Sequence, residues 1–236
     1  KDPENLYCHQ ARASALQGMD RERDSAVALE TIKRMGKLKP SGYLNLGDLY
    51  HNLGLFGSSL ANYELAIAKK EKLSLSRYVR VARILIRRGS YQDGFAYLGK
   101  IDQTFGNSYS NEERKDVRLL QAEVLKATGK KETSEKILKE IVKTNPLEGK
   151  ALIMLGQYAW EAKEHVQATL YFERAAKTDE SKVPALIEHA RMMVSTREYD
   201  QAIRLLQEVQ VIDPQPRIDR YLKSIQNLLL SSRLKL

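Results

Sequence analysis

The chain has 236 residues, of which 42% are hydrophobic and 29% are charged, so it can bury a sizeable core and does not have the composition of a disordered protein. Its 39 lysines and arginines exceed its 30 aspartates and glutamates, which gives a formal charge of +9. This excess favours an acidic peptide, a nucleic acid or an anionic membrane surface as partner, although a solvated surface rich in lysine explains it equally well. No run of five or six basic residues occurs, which excludes a basic arm of the kind that binds nucleic acids.

Cys8 is the only cysteine, which excludes an internal disulfide and a metal site built from cysteines alone. No segment is long and apolar enough to span a bilayer. The chain starts at Lys1 without a methionine, so we expect that an upstream segment has been removed, such as a signal peptide or another domain. The compartment stays open between the cytoplasm and an exported or periplasmic location.

A helical unit repeats along the chain with a period of 34 residues. Each unit contains a helix with small residues at its centre, a short break and a second helix. The pairs Asn145-Pro146 and Asp213-Pro214 lie 68 residues apart, which is twice this period. In chain order, the predicted repeats are 6–39, 40–73, 75–108, 115–148, 149–182 and 183–216.

Small residues at the centre of the first helix let the second helix approach closely. They are Gly47, Ala82, Ala122, Gly156 and Ala190. Apolar residues at i, i+3, i+4 and i+7 give each helix an apolar stripe, and a glycine after the first helix supplies the stop in three repeats: Gly54, Gly89 and Gly129. One hairpin cannot bury its stripe alone, so neighbouring hairpins are expected to stack.

The repeats resemble the tetratricopeptide repeat (TPR) family, whose pattern is W-x2-L-G-x2-Y, then A-x3-F-x2-A, then P. The window 40–73 carries Tyr43, Leu46, Gly47, Tyr50, Tyr63 and Ala66 in that pattern, with Tyr43 in place of the tryptophan and Ser59 in place of the first alanine. The resemblance implies an all-α fold, a right-handed α-α superhelix of six repeats that forms a single domain over residues 1–236.

Residues 109–114 are predicted to be an insertion between the third and fourth repeats. Ser110 and Glu113 have the spacing of a capping box that opens the next helix, and the preceding residues 106–108 have the composition of a loop. We expect this connection to be a kink or flexible point, or alternatively a loop that contacts a partner.

Residues 217–232 have the spacing of a first helix, but no second helix follows. This segment is predicted to be a capping helix whose polar face protects the end of the array. Leu230, Leu234 and Leu236 lie beyond what such a helix needs. They form either a frayed tail or a surface for self-association.

The usual motifs of catalysis do not occur in the chain. It contains no GxGxxG after a strand, no P-loop and no G-x-S-x-G elbow. The four histidines, His9, His51, His165 and His189, have no i, i+4 pairing that would make a metal-ligand face. We therefore expect no enzyme activity, no cofactor, no metal and no small-molecule substrate, and we interpret His189 as a packed core residue.

The resemblance to TPR proteins implies that the first helix of each repeat lines a concave groove that holds a partner. The implied contact residues are Asn45, Arg80, Arg83, Arg87, Lys126, Lys150, Gln157, Trp160 and Arg191. The groove is net basic, most densely at Arg80, Arg83 and Arg87, which share one helical face. The resulting hypothesis is a scaffold that binds an acidic segment or a C-terminal carboxylate of another protein. Trp160 is either an aromatic anchor for that partner or a packed residue near the turn.

The same residues bear on other classes of partner. TPR proteins that clamp the C-terminal carboxylates of chaperones use a set of Lys, Asn and Arg residues. Only Asn45 and Arg80 have counterparts here, which argues against this role. A nucleic-acid-binding repeat is less well supported, because RNA readers of the pentatricopeptide type have a longer period. An accessory subunit of an envelope or secretion assembly stays open as an alternative.

Overall fold

The computed structural model describes residues 5–70 and 74–233, with side chains described as far as Ser231. These residues form thirteen α-helices and one short 3-10 helix, Gly106–Ser108, with no strand among them. The helices are α1 (Leu6–Gly18), α2 (Glu22–Arg34), α3 (Pro40–Asn52), α4 (Phe56–Ala68), α5 (Leu75–Arg87), α6 (Tyr91–Phe105), α7 (Asn111–Ala127), α8 (Lys131–Thr144), α9 (Gly149–Glu161), α10 (His165–Ala175), α11 (Asp179–Ser195), α12 (Tyr199–Ile212) and α13 (Pro216–Arg233). The expected all-α class is confirmed.

The chain divides into two compact units, Lys1–Val117 and Arg118–Leu236, called here the first and second unit. The division falls inside α7. Within each unit the consecutive helices α1 and α2, α3 and α4, α5 and α6, α9 and α10, and α11 and α12 pack against each other as hairpins. The limits of the six repeats within this series stay predictions.

The close approach of the two helices in a hairpin is visible at two glycines. A Cβ atom on Gly156 would lie 2.6 Å from Cε1 of Phe172, whose side chain is only 1% exposed. A Cβ atom on Gly47 would overlap the ring of Tyr63, which is fully buried. Each glycine therefore makes room for the aromatic ring of the second helix.

A buried hydroxyl closes three of the hairpins at one fixed position. In each case a serine near the start of the second helix donates to a backbone carbonyl twelve residues earlier, at the centre of the first helix. The pairs are Ser25 with Ala13 at 2.9 Å, Ser59 with Gly47 at 2.8 Å and Ser134 with Ala122 at 2.8 Å. Since a buried polar group needs a partner, this bond explains why serine fits where the TPR pattern has alanine.

The turn between the two helices of a hairpin needs one residue with positive φ. The predicted turn glycines adopt it, with φ of 75° at Gly54, 86° at Gly89 and 76° at Gly129. The other hairpins place Asp20, Lys163 and Arg197 in the same conformation, with φ of 56°, 64° and 65°. A side chain in this region costs about 1–2 kcal/mol relative to glycine, so packing on both sides of the turn holds these residues in place.

The predicted capping box is present at the start of α7. The backbone N–H of Glu113 donates to Oγ of Ser110 at 3.2 Å, and the backbone N–H of Ser110 donates to Oε2 of Glu113 at 2.9 Å. These bonds satisfy two donors that the first turn of a helix leaves open. The 3-10 helix Gly106–Ser108 occupies the segment whose composition indicated a loop.

The last helix, α13, buries Ile218, Leu222 and Ile225 against the core of the second unit. Leu230 is 59% exposed. Leu234 and Leu236, which belong to the predicted tail, lie outside the described residues.

Candidate partner-binding site

Helix α5 carries the densest positive charge in the described part of the chain. Its sequence, LSRYVRVARILIR, contains four arginines and no acidic residue, and Arg88 follows at its end. Leu75, Tyr78, Val79, Val81, Ala82, Leu85 and Ile86 are buried on the other face. Because the apolar stripe fixes the rotation of the helix, the arginines at i, i+3 and i+7 must project from the opposite side.

Three predicted contact residues of the first unit pair with neighbouring helices. Arg80 forms an ion pair with Asp48 of α3. Arg83 lies 3.4 Å from Oδ2 of Asp116 in α7. Asn45 accepts a hydrogen bond at 3.1 Å from Arg77, an arginine that is not among the predicted contacts. Neighbouring first helices are therefore linked side by side through these pairs.

Arg87 differs from the other arginines of this face. It is exposed and has no hydrogen bond or ion pair with any of the residues that the structure describes. It lines a cleft of about 310 Å³ together with residues of α5 and α7. The cleft is lined by Leu75, Ser76, Val79, Arg80, Arg83, Ile84, Arg87, Glu113 and Asp116. Its volume lies at the lower end of the range for ligand pockets, and its walls combine apolar and cationic groups.

Three predicted contact residues of the second unit, Lys126, Gln157 and Arg191, form a continuous polar row with Glu188. Lys126 of α7 donates to Oε1 of Gln157 in α9. The amide nitrogen of Gln157 donates to Glu188 of α11 at 3.0 Å, and Arg191 pairs with the same carboxylate. Lys150, at the start of α9, lies 3.9 Å from Glu180. The row links three successive first helices, so a partner here would have to compete with bonds inside the protein.

Burial also affects the charge of this row. Lys126 is only partly exposed, and desolvation lowers the pKa of its amine, while Glu161 and Glu188 act in the opposite direction. Its ammonium group also lies 5.3 Å from the centre of the Tyr158 ring. Lys126 is therefore held by its surroundings and is not a freely solvated cation.

Trp160 is partly buried against the core of the second unit. Its indole N–H donates to Oγ of Ser195 in α11 at 3.0 Å. This bond uses the only polar group of the indole. The structure thus gives Trp160 a packing role near the turn, in agreement with one of the two interpretations, while part of its ring surface stays accessible.

His189 lies in the core, as expected from its position in α11. It is 3% exposed, it stacks on Phe172 with 5.9 Å between ring centres, and its Nε2 lies 3.5 Å from Oγ1 of Thr169. Burial lowers the pKa of the imidazole below its usual value, although Glu173 and Glu198 raise it in part. The imidazole is therefore neutral in the folded state at pH 7.

This burial predicts a pH dependence of stability. As pH falls below about 6.5, the unfolded chain binds a proton at His189 that the folded chain does not, so the free energy of unfolding decreases by up to about 1.4 kcal/mol per pH unit. We expect His189→Leu to remove this component. The measurement is urea unfolding at pH 7.0, 6.0 and 5.0, with the exposed His165→Leu as control. A wild-type slope that persists unchanged in His189→Leu would contradict the prediction.

Two acidic partners, Asp116 and Glu188, are residues that could not be singled out from the sequence. Asp48 is at a groove-lining position of the TPR pattern, but its pairing with Arg80 was not predicted. The distance along the chain between partners is nearly one repeat: 32 residues for Asp48 and Arg80, 33 for Arg83 and Asp116, and 31 for Gln157 and Glu188. Complementary polar residues separated by about one period are the signal that could have found them.

Metal-ligand clusters and membrane-spanning helices are both absent from the part of the chain that the structure describes. Within residues 5–70 and 74–233, no three or more His, Cys, Asp or Glu side chains are grouped as a metal ion would require. None of the described helices has the length and apolar character that crossing a membrane demands.

Comparison with known proteins identifies one tetratricopeptide repeat in the chain. The family model described as "Tetratricopeptide repeat" matches residues 40–68, which contain α3 and α4. No curated protein matches the chain.

Solved structures, some of them described as TPR proteins, match over most of the chain. The C-terminal part of a TPR repeat-containing protein from Cytophaga hutchinsonii has a TM-score of 0.65 and 13% identity, and the match covers 93% of this chain and 88% of that one. PilW, a type IV pilus biogenesis factor, has a TM-score of 0.60 and 15% identity, with 97% and 100% covered. YrrB, described as a TPR protein with an unusual peptide-binding site, has a TM-score of 0.52 and 15% identity, with 84% and 99% covered.

The hairpins, their glycines and their small central residues define a helical repeat protein. With the family match at 40–68 and the likeness to these structures, the chain contains a tetratricopeptide repeat and has the all-α fold of TPR proteins.

Proposed function

We propose that the chain is a protein-interaction scaffold that binds an acidic segment of another protein at the α5 cleft. The observation that supports this role is the exposed guanidinium of Arg87, which has no partner among the described residues and lies beside Arg80 and Arg83 on one helical face. Arginine presents five donors in a planar fork that matches a carboxylate, so a face with three arginines favours acidic groups. The apolar part of the cleft wall, Leu75 and Val79, would contact the side chains between those groups.

The likeness to YrrB, which is described as having a peptide-binding site, is consistent with this role for a chain of the same fold. The predicted contacts of the second unit are a weaker choice. Lys126, Gln157 and Arg191 all bond to neighbouring side chains, whereas Arg87 of the first unit has no partner among the described residues. We therefore assign the primary contact to the first unit.

The test uses two fluorescein-labelled peptides of twelve residues, which are identical except that Asp and Glu in one are Asn and Gln in the other. We expect the acidic peptide to bind more tightly, and Arg80→Ala/Arg83→Ala/Arg87→Ala to weaken its binding at least about tenfold, since each lost charged hydrogen bond is worth about 1.5–3 kcal/mol. Fluorescence anisotropy gives both affinities.

The control variant is Arg12→Ala/Arg23→Ala/Lys69→Ala, which removes three exposed cations of the same unit away from the cleft. It should bind the acidic peptide as the wild type does. Equal binding of the two peptides, or equal losses in the two triple variants, would refute the assignment. A single-stranded oligonucleotide that binds more tightly than the acidic peptide, with a steep salt dependence, would favour the nucleic-acid alternative.

A second candidate role is that of an accessory subunit in an envelope or secretion assembly. The likeness to PilW over 97% of this chain is the observation that favours it. Fractionation of cells that express the full-length, epitope-tagged protein provides the test, because recovery only in the cytoplasm would eliminate this role.

A further inference from the structure

The three arginines of the α5 cleft are held to different degrees. Arg80 is fixed, because its partner Asp48 also accepts a hydrogen bond at 2.9 Å from the hydroxyl of Tyr63 and is only 24% exposed. Arg83 is held loosely, because its distance to Asp116 is 3.4 Å and both side chains are nearly half exposed, at 45% and 43%. Arg87 has no partner among the described residues. The groups that can receive a guest are therefore Arg83 and Arg87.

Arg83 and Arg87 are four residues apart on α5, so their side chains leave the helix one above the other, about 5–6 Å apart at Cβ. Both line the same cleft of about 310 Å³. Two guanidinium groups at this spacing can both donate hydrogen bonds to the same anion. Arg80, which is anchored to Asp48, then acts as a positioning residue for this pair.

Any anion that binds here must replace Asp116 as the partner of Arg83. A guest carboxylate that replaces Asp116 forms the same kind of bond to Arg83, so its only additional contact is with Arg87. Glu113 also lines the cleft. Its carboxylate accepts from the backbone N–H of Ser110 and forms no ion pair with an arginine among the described residues, so it repels a further negative charge. A single carboxylate therefore gains little. A phosphomonoester carries a charge of about −1.5 to −2 at pH 7 and offers three acceptor oxygens, so it can satisfy both arginines at once.

We propose that Arg83 and Arg87 bind a phosphoserine or phosphothreonine of the partner, and that Asp116 occupies Arg83 until this group replaces it. The proposal rests on the proposed function and specifies the chemistry of the same cleft. Asp116 determines the preference for phosphate over carboxylate. Its own carboxylate binds Arg83 about as well as a guest carboxylate would, but less well than a phosphate would.

The experiment measures the affinity of the full chain for three labelled twelve-residue peptides that differ only in a central serine, glutamate or phosphoserine. At pH 7.5 we expect phosphoserine to bind at least about tenfold more tightly than glutamate. Arg87→Ala should remove most of this preference. Asp116→Asn should increase the affinity for the glutamate peptide several-fold. The ratio of the affinities for the phosphoserine and glutamate peptides should therefore decrease.

Two further arms separate charge from geometry. Arg83→Lys keeps the positive charge but not the planar guanidinium group, so it should lower the affinity for the phosphoserine peptide. Lowering the pH from 7.5 to 5.5 crosses the second pKa of a phosphomonoester, which is about 6. This change should lower the affinity for the phosphoserine peptide more than the affinity for the glutamate peptide. Circular dichroism of each variant checks that the helices are retained.

The outcomes distinguish the two proposals. If the glutamate peptide binds through the arginines and phosphoserine gives no advantage, or if Asp116→Asn leaves the ratio unchanged, the phosphate assignment is wrong and the acidic-segment function stands. If neither the glutamate nor the phosphoserine peptide binds the wild type or Asp116→Asn through these arginines, both proposals fail.

Discussion

Replacing Gly149 with alanine is expected to destabilise the second unit by about 3 kcal/mol, the upper part of the usual range for overpacking. Gly149 is the buried first residue of α9, and a Cβ atom there would overlap both Oγ and Cβ of Ser181 in α11. A rotation of the serine hydroxyl would move Oγ away, but Cβ can move only with the backbone of α11. The new methyl group therefore pushes two first helices apart.

Urea unfolding followed by Trp160 fluorescence measures this loss, because the only tryptophan lies in the second unit. Gly149→Ala/Ser181→Gly should recover most of the lost stability, since it removes the overlapping atoms. Gly99→Ala in the first unit serves as control, because none of the described residues lies within 4 Å of its Cβ position in α6, and circular dichroism follows its unfolding. That change should stabilise the chain by about 0.5–1 kcal/mol through helix propensity. If Gly149→Ala unfolds at the wild-type urea concentration, the contact is not as close as described.

Phe172→Ala is expected to cost about 3–5 kcal/mol, which is the usual range for a fully buried phenylalanine. The ring is 1% exposed, fills the space that Gly156 leaves open and stacks on His189. Its removal leaves a cavity that the surrounding helices cannot close completely. The same fluorescence-detected urea unfolding gives the magnitude.

Leu170→Ala on the same helix is the matched control. Leu170 is 48% exposed, so its truncation should cost less than about 1 kcal/mol. Phe172→Leu with Gly156→Ala should be more stable than the sum of the single changes predicts, since the smaller side chain makes room for the methyl group. Similar losses in Phe172→Ala and Leu170→Ala would contradict the assignment of Phe172 to the core.

Features that depend on nearby residues could be predicted from the sequence. The capping box of Ser110 and Glu113 and the turn glycines, such as Gly129, involve residues at most four positions apart. The central glycines, such as Gly156, were also recognisable, because a residue without a side chain inside a helix usually has a packing reason.

Features that depend on neighbouring repeats could not be predicted in the same way. The sequence placed Arg80, Arg83 and Arg87 on one face. It could not show that Asp48 fixes Arg80, or that Arg87 has no partner within residues 5–70 and 74–233. In the second unit it identified Lys126 and Gln157 as contacts for a guest, whereas the structure bonds them to each other. Each of these pairs joins two helices, so the rotation of both determines whether the side chains meet.

The turn residues Lys163 and Arg197 were missed for another reason. A positive φ is expected at glycine, and glycine is present in only three of these turns. Packing of the helices on both sides overrides the local preference, and the residue type alone gives no sign of it.

The fixed separation of twelve residues between the serine hydroxyl and its carbonyl has a consequence for how such a chain changes length. The bond lies wholly inside one hairpin, and so do the central small residue and the turn. The three hairpins that have this bond therefore each contain both of its partners. Duplication or loss of one of them would leave the bond in the other two intact, and only the side-by-side pairs between hairpins, such as that of Arg83 and Asp116, would have to form again at the new junction.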